Sequence, residues 1–217
     1  MQKENLNRWF KSIVISLIIF FLFSIYLLLR RGYFNLYIAN KVFGSSAVII
    51  AGLTLLIGPV SKKIQNLAKF MTIRRHLGLI ALLFAIIHTL VSFFFLPEKF
   101  PLSWYGKEIV PVFFGLLALG LWLYLAYLSE NERILKMGSD LWKKHLSLGG
   151  KIAFLFVFFH LVVMKYPGWL RWFQGQTKQT PELLNPEYPP ASLFVFIAML
   201  GIIVYRILND YFLPQKK

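Results

Sequence analysis

Along the chain, long apolar stretches alternate with short clusters of charge. Six stand out, at about Ser12 to Leu29, Ser45 to Val60, Leu77 to Leu96, Val110 to Leu128, Ile152 to Met164 and Ala191 to Leu208. Most approach the roughly 20 residues a helix needs to cross a bilayer. The pattern predicts an all-α integral membrane protein, a six-helix transmembrane bundle forming one domain over residues 1–217. The fifth stretch is the weakest. It reaches full length if it begins near Leu146 and takes Gly149, Gly150 and Lys151 into its first turns, the lysine reaching for the interface. A re-entrant segment there would leave only five spans. The first stretch follows Lys3, Arg8 and Lys11, as in a signal peptide, but it is too long and ends on Arg30 and Arg31 without a small-residue cleavage site. It is read as a retained span.

Small residues mark two places where helices can approach. Gly44, Ser45, Ala47, Ala51 and Gly52 open the second stretch, and Gly115, Ala118 and Gly120 sit in the fourth.

Composition sharpens this picture. The chain is 58% hydrophobic and 15% charged, against roughly 25% charged in an average soluble domain. Its net charge of +15 comes from cations that flank the apolar runs, a membrane-loop pattern that excludes nucleic acid as the partner. With six spans, one side carries Lys3, Arg8, Lys11, Lys62, Lys63, Lys69, Arg74, Arg75, Arg133, Lys136, Lys143, Lys144, Lys216 and Lys217. The other carries Arg30, Arg31, Lys41, Lys99, Lys107, Lys165, Arg171 and Lys178. The richer side is expected to face the cytoplasm, giving a multi-pass protein of the cell inner membrane with both termini inside.

Four histidines are the only ones in the chain, and they fall in two similar segments. His76 stands at the basic mouth of RRHLGLIALLFAIIHTL with His88 deep within it; His145 and His160 repeat the arrangement in WKKHLSLGGKIAFLFVFFHLVV. Spans three and five run in the same direction, so the deep pair shares one depth and the mouth pair another. At 1.5 Å per residue the separations are roughly 18 Å and 22 Å, which fits two stacked sites in a core about 30 Å thick. At 100° per residue, His145 and His160 differ by about 60° and His76 and His88 by about 120°. The outer pair, His88 with His160, is the better-matched site. An imidazole in hydrocarbon needs a partner. Two imidazoles on facing helices suit haem iron, with hydrogen bonding between helices as the structural alternative. The chain has no cysteine, so any haem is of the non-covalent b type. Arg74, Arg75 and Lys144 pair with haem propionates or face lipid phosphates.

No HExxH, GxGxxG or P-loop appears, and the six runs hold no acids of the kind a proton-coupled transporter uses. The segments FGSSAVIIAGLTLLIGPV, IRRHLGLIALLFAIIHTL and LWKKHLSLGGKIAFLFVFFHLVV, over about 44–163, resemble the ferric reductase-like transmembrane domain. Within that family they are most similar to the haem-binding membrane subunits of periplasmic methionine sulfoxide reductase systems. The resemblance implies that His88 and His160 are ligands of heme b and that His145 is the histidine entering the fifth helix. Two features depart from the pattern: His76 stands where an aliphatic residue is expected, and the His145 to His160 spacing is longer than usual.

The resemblance implies a periplasmic methionine sulfoxide reductase as electron acceptor, with ferric chelate as the alternative. The chain carries no flavin or nicotinamide domain, so its donor is expected to be a cytoplasmic flavin reductase, a bound flavin such as FMN, or the quinol form of a quinone. A haem-free scaffold or transporter is the competing class. The longest connection, Tyr166 to Pro190, carries Trp169, Trp172 and Phe173 beside Arg171 on the outer face. It reads either as a docking surface for the acceptor or as aromatic anchors in lipid.

Overall fold

The computed structural model describes residues 2–212; Lys216 and Lys217, which enter the charge asymmetry, lie outside them. The chain forms α1 (Gln2–Arg31), α2 (Leu36–Lys63), α3 (Arg74–Leu90), α4 (Leu102–Lys107), α5 (Ile109–Leu128), α6 (Asn131–Met137), α7 (Ser139–Phe173) and α8 (Ala191–Ile207). A 3₁₀ segment, Gln65–Ile73, leads into α3, and π-helical turns extend α3 over Val91–Phe95 and α8 over Leu208–Phe212. Six helices are long and apolar enough to cross a membrane: α1, α2, α3, α5, α7 and α8. The expected all-α, six-helix bundle is therefore present. Six crossings make α3 and α7 parallel and bring both ends of the described chain to one face, here the terminal face; the opposite one is the loop face.

Local chemistry explains where the helices stop. Gly32, at φ +80°, closes α1 in the left-handed turn that glycine adopts without strain, its N–H donating to the Leu28 carbonyl at 2.8 Å. Three residues later Asn35 opens α2, its side chain accepting the Ile38 N–H at 3.0 Å. The fifth span, whose apolar run is the shortest, is the longest helix, with 35 residues that take in Gly149, Gly150 and Lys151. It is not re-entrant. At 1.5 Å per residue it is about 50 Å long and projects beyond a core about 30 Å thick.

Lys151 can enter the helix because its ammonium meets Asp210 at 2.6 Å. Arg206 joins the same carboxylate at 3.0 Å, and its other nitrogen donates at 3.4 Å to the Leu55 carbonyl. That carbonyl lies four residues before Pro59, which has no N–H to offer it. The final apolar run thus continues to a carboxylate that its hydropathy does not reveal.

α2 is the central helix: 44% of its most apolar window is buried, against 11% for α5. Lipid offers no hydrophobic drive for helices to associate, so close packing of small residues does the work. Ala47, Ala51 and Ser46 are buried there, and Gly52 lies against Ile202 of α8 and Phe154 of α7. Around them Ile50, Leu77, Phe154, Val195 and Met199 form the core. α2 packs chiefly on α3, and α5 on α7.

Candidate functional site

Between these two helix pairs lies a cavity of about 700 Å³, within the range of cofactor sites. His88 of α3 and His160 of α7 both line it. Each ring is held from the helix packed beside it. His88 donates its Nδ1–H to Asn40 of α2, shared between the backbone carbonyl and the side-chain oxygen, each at 3.0 Å. His160 donates its Nδ1–H to the Pro111 carbonyl of α5 at 2.7 Å. A carbonyl only accepts, so Nδ1 carries the proton in both rings and Nε2 keeps its lone pair.

Glycines make this geometry possible. A Cβ on Gly44 would stand 3.2 Å from the His88 ring, and one on Gly115 would stand 2.9 Å from His160 Nδ1. Each glycine lies four residues after its acceptor, Asn40 to Gly44 and Pro111 to Gly115. A helical carbonyl points toward the residue four positions on, so a side chain there would block the approach of the ring. The small residues at 44 and 115 therefore receive imidazoles as well as admitting neighbouring helices.

Asn40, 2% exposed, extends the support. Its amide donates to Ser92 Oγ at 2.8 Å, and Ser92 donates back to the His88 carbonyl at 2.8 Å. Ser92 sits in the π-helical turn after α3, a distortion that often marks functional sites. Its own carbonyl accepts the Tyr105 hydroxyl of α4 at 3.1 Å, and the Tyr105 ring stacks on Phe93 at 4.5 Å.

Inward the cavity is lined by Val48, Ala85, Ala118 and Val157, and it reaches to the loop face. There it is lined by Arg30, Arg31, Lys41, Lys165 and Arg171, with Glu108 the one carboxylate in its wall. The α7–α8 connection straps this mouth. Arg30 donates to the Tyr188 carbonyl at 2.9 Å and Arg31 to the Glu182 carbonyl at 2.8 Å, while Asn185 bonds the Arg30 and Leu29 carbonyls. Outside the spans, Lys99 meets Glu182 at 3.0 Å. That hydrogen bond and charge hold the Glu182 carboxyl below the usual range and raise Lys99.

The other sequence candidates lie elsewhere. His76 Nε2 is 3.0 Å from Asn5 Oδ1, and its ring meets Trp9 edge-on at 4.8 Å, both on α1. His145 donates to the Leu141 carbonyl of its own helix at 2.9 Å. Neither lines the cavity, and the rotation of about 120° that separates His76 from His88 turns it toward α1. Arg74 donates to the Thr54 carbonyl of α2 at 2.7 Å, and neither Arg74 nor Arg75 lines the cavity. The cations that do line it are on α1, α2 and α7.

Trp169 also requires a correction as a docking residue. It is 5% exposed, donates to Ser192 Oγ at 2.9 Å and packs on Phe196. Trp172 donates to the Glu187 carbonyl at 3.1 Å, which leaves Phe173 as the exposed aromatic of the three.

Among the described residues, no three of His, Cys, Asp and Glu gather as an all-protein metal cage. Compared with protein-family models and with curated proteins, the chain matches none.

Proposed function

We propose that this chain is a membrane b-type cytochrome, carrying electrons across the bilayer to an acceptor on the outer side. The observation that carries the reading is the pair His88 and His160: two imidazoles from parallel spans, on one cavity, each with Nδ1 bound to a carbonyl and Nε2 free. Metal-ligating histidines are held in this way, the second nitrogen fixing tautomer and ring orientation. A cluster of three protein ligands is not needed where a porphyrin supplies four nitrogens. When bound, haem supplies one-electron ferric and ferrous exchange, tuned by its axial ligands and by burial.

The chain's own part is to orient and enclose. His88 and His160 would hold the iron, while Asn40, Pro111 and the two glycines keep their rings from turning. Val48, Ala118 and Val157 keep the inner cavity apolar, and the strapped mouth faces the side poorer in loop cations. With the richer side cytoplasmic, the site lies nearer the outer surface of the inner membrane. Electrons would come from a cytoplasmic flavin reductase, a bound flavin or quinol. By the resemblance at 44–163, the acceptor is a periplasmic methionine sulfoxide reductase.

The test is a visible spectrum of the purified protein. A Soret band that shifts on reduction and is extractable by acidified acetone is expected; a chain that purifies and reconstitutes without one would be a haem-free scaffold or transporter. Vesicles reduced from the cytoplasmic side then separate acceptors, since reoxidation by ferric chelate and not by the sulfoxide reductase would make the protein a ferric reductase. A reporter active only in the periplasm, fused to the C-terminus, should be silent.

A further inference from the structure

The cavity's loop-face mouth holds five cations and a single carboxylate, at the edge of a low-dielectric membrane interior. Three of the five have visible tasks or sit on the rim. Arg30 and Arg31 hold the α7–α8 strap by its carbonyls, and Arg171 lies in the last turn of α7. Lys41 and Lys165 are different. Lys41 follows Asn40 on α2, half-buried, its ammonium 3.9 Å from the centre of the Tyr37 ring; Lys165 stands five residues beyond His160 on α7, also half-buried. Both line the cavity on the mouth side of the histidines.

Among the described residues, ion pairs form elsewhere, and no carboxylate lies within 4.0 Å of either ammonium, Glu108 included. Cations in a membrane interior are costly unless something anionic meets them. Each lysine belongs to a helix that builds one histidine position, α2 through Asn40 and Gly44, α7 through His160.

We propose that Lys41 and Lys165 receive the two carboxylates of a dicarboxylate tetrapyrrole, one lysine on each side of the cavity, so that its acidic edge faces the loop-face mouth. This rests on the cytochrome reading and adds to it the groups that set the orientation of the ligand. Charge-assisted bonds between ammonium and carboxylate are stronger than neutral ones, and they gain strength away from water.

The test titrates full-length protein, prepared without haem in detergent, with haem b and with its dimethyl ester, which keeps the iron and ring but has no free carboxylates. Absorbance reports binding and ligation. The wild type is expected to bind the diacid about tenfold or more tightly than the ester. Lys41→Met with Lys165→Met should remove that preference while keeping a bis-imidazole spectrum, and the double arginine variant should restore it. Equal affinity of the wild type for diacid and ester would overturn the assignment without any variant having to fold, as would a full preference in the double methionine variant. Uptake of neither compound by the wild type would overturn the cytochrome reading and this assignment with it; uptake without discrimination would overturn this assignment alone.

Discussion

His160 lies on Gly115 so closely that a Cβ at that glycine would stand 2.9 Å from its Nδ1. Two effects oppose each other at this position. In a helix interior alanine is favoured over glycine by roughly 1 kcal/mol, whereas contact this close forces the ring to shift. The ring is hydrogen-bonded and buried in packing, so the contact wins.

Gly115→Ala is therefore expected to lower haem retention in purified protein, with Gly44→Ala, at 3.2 Å, the milder of the two. Gly120→Ala, with nothing within 4 Å of the added carbon, should keep the wild-type spectrum and gain up to about 1 kcal/mol in stability. Soret absorbance per protein and thermal unfolding of the three variants decide the matter; equal behaviour of all three would remove the glycines from the site.

Replacing His88 or His160 by alanine should abolish most haem absorbance, and replacing His76 or His145 should leave it. The second half follows from geometry, since His76 engages Asn5 and Trp9 and His145 its own helix. A loss of comparable size in His76→Ala would point to a second centre at the terminal face.

Asn40→Ala removes one of two acceptors for His88 and leaves the backbone carbonyl at 3.0 Å. Ligation should survive while the basicity of the imidazole falls, and the reduction midpoint should move. An unchanged midpoint in redox titration would confine the Asn40 side chain to a packing role.

Asp210 neutralises two cations at once. Asp210→Ala should lower stability by about 1–2 kcal/mol, because Lys151 and Arg206 would be left half-buried without their partner. Lys151→Met, which leaves Arg206 on Asp210, should cost less. Unfolding midpoints in detergent give the order.

The strap should loosen at both extremes of pH. Glu182 is held below its ordinary range by Lys99, so its contribution is complete above the unfolded carboxylate value and is lost as pH falls through the folded one. Lys99 is raised, so its contribution is present below the unfolded lysine value and fades as pH rises through the folded one. The connection should be best protected between these limits. Both groups are exposed to solvent, so the effect is small. Amide exchange near Glu182, corrected for intrinsic rates, should show it, and Glu182→Gln should remove the acid limb.

Hydropathy alone made the number of the spans legible, because hydrocarbon demands long runs with satisfied backbones. Their limits were less legible. α7 exceeds its apolar run because Lys151 finds Asp210, a partner 59 residues away in sequence. The depth of His88 and His160 could be read from the sequence, whereas their carbonyl partners could not, since Asn40 and Pro111 belong to other helices. A trace existed in the glycines at 44 and 115, each four residues after an acceptor, but it gains meaning only once α2 is known to lie beside α3 and α5 beside α7. Trp169 misled for the opposite reason: an aromatic near a loop looks like surface until Ser192 and Phe196 cover it.

The paired carbonyl and glycine at each histidine also bear on speed. A ring gripped at its rear nitrogen and pressed against a bare Cα has little freedom to swing when the charge in front of it changes. In an electron carrier that stiffness is an advantage, because groups already in place need no rearrangement at the moment of transfer. The two glycines, which offer no chemistry of their own, would thus keep each exchange of an electron from waiting on the protein to move.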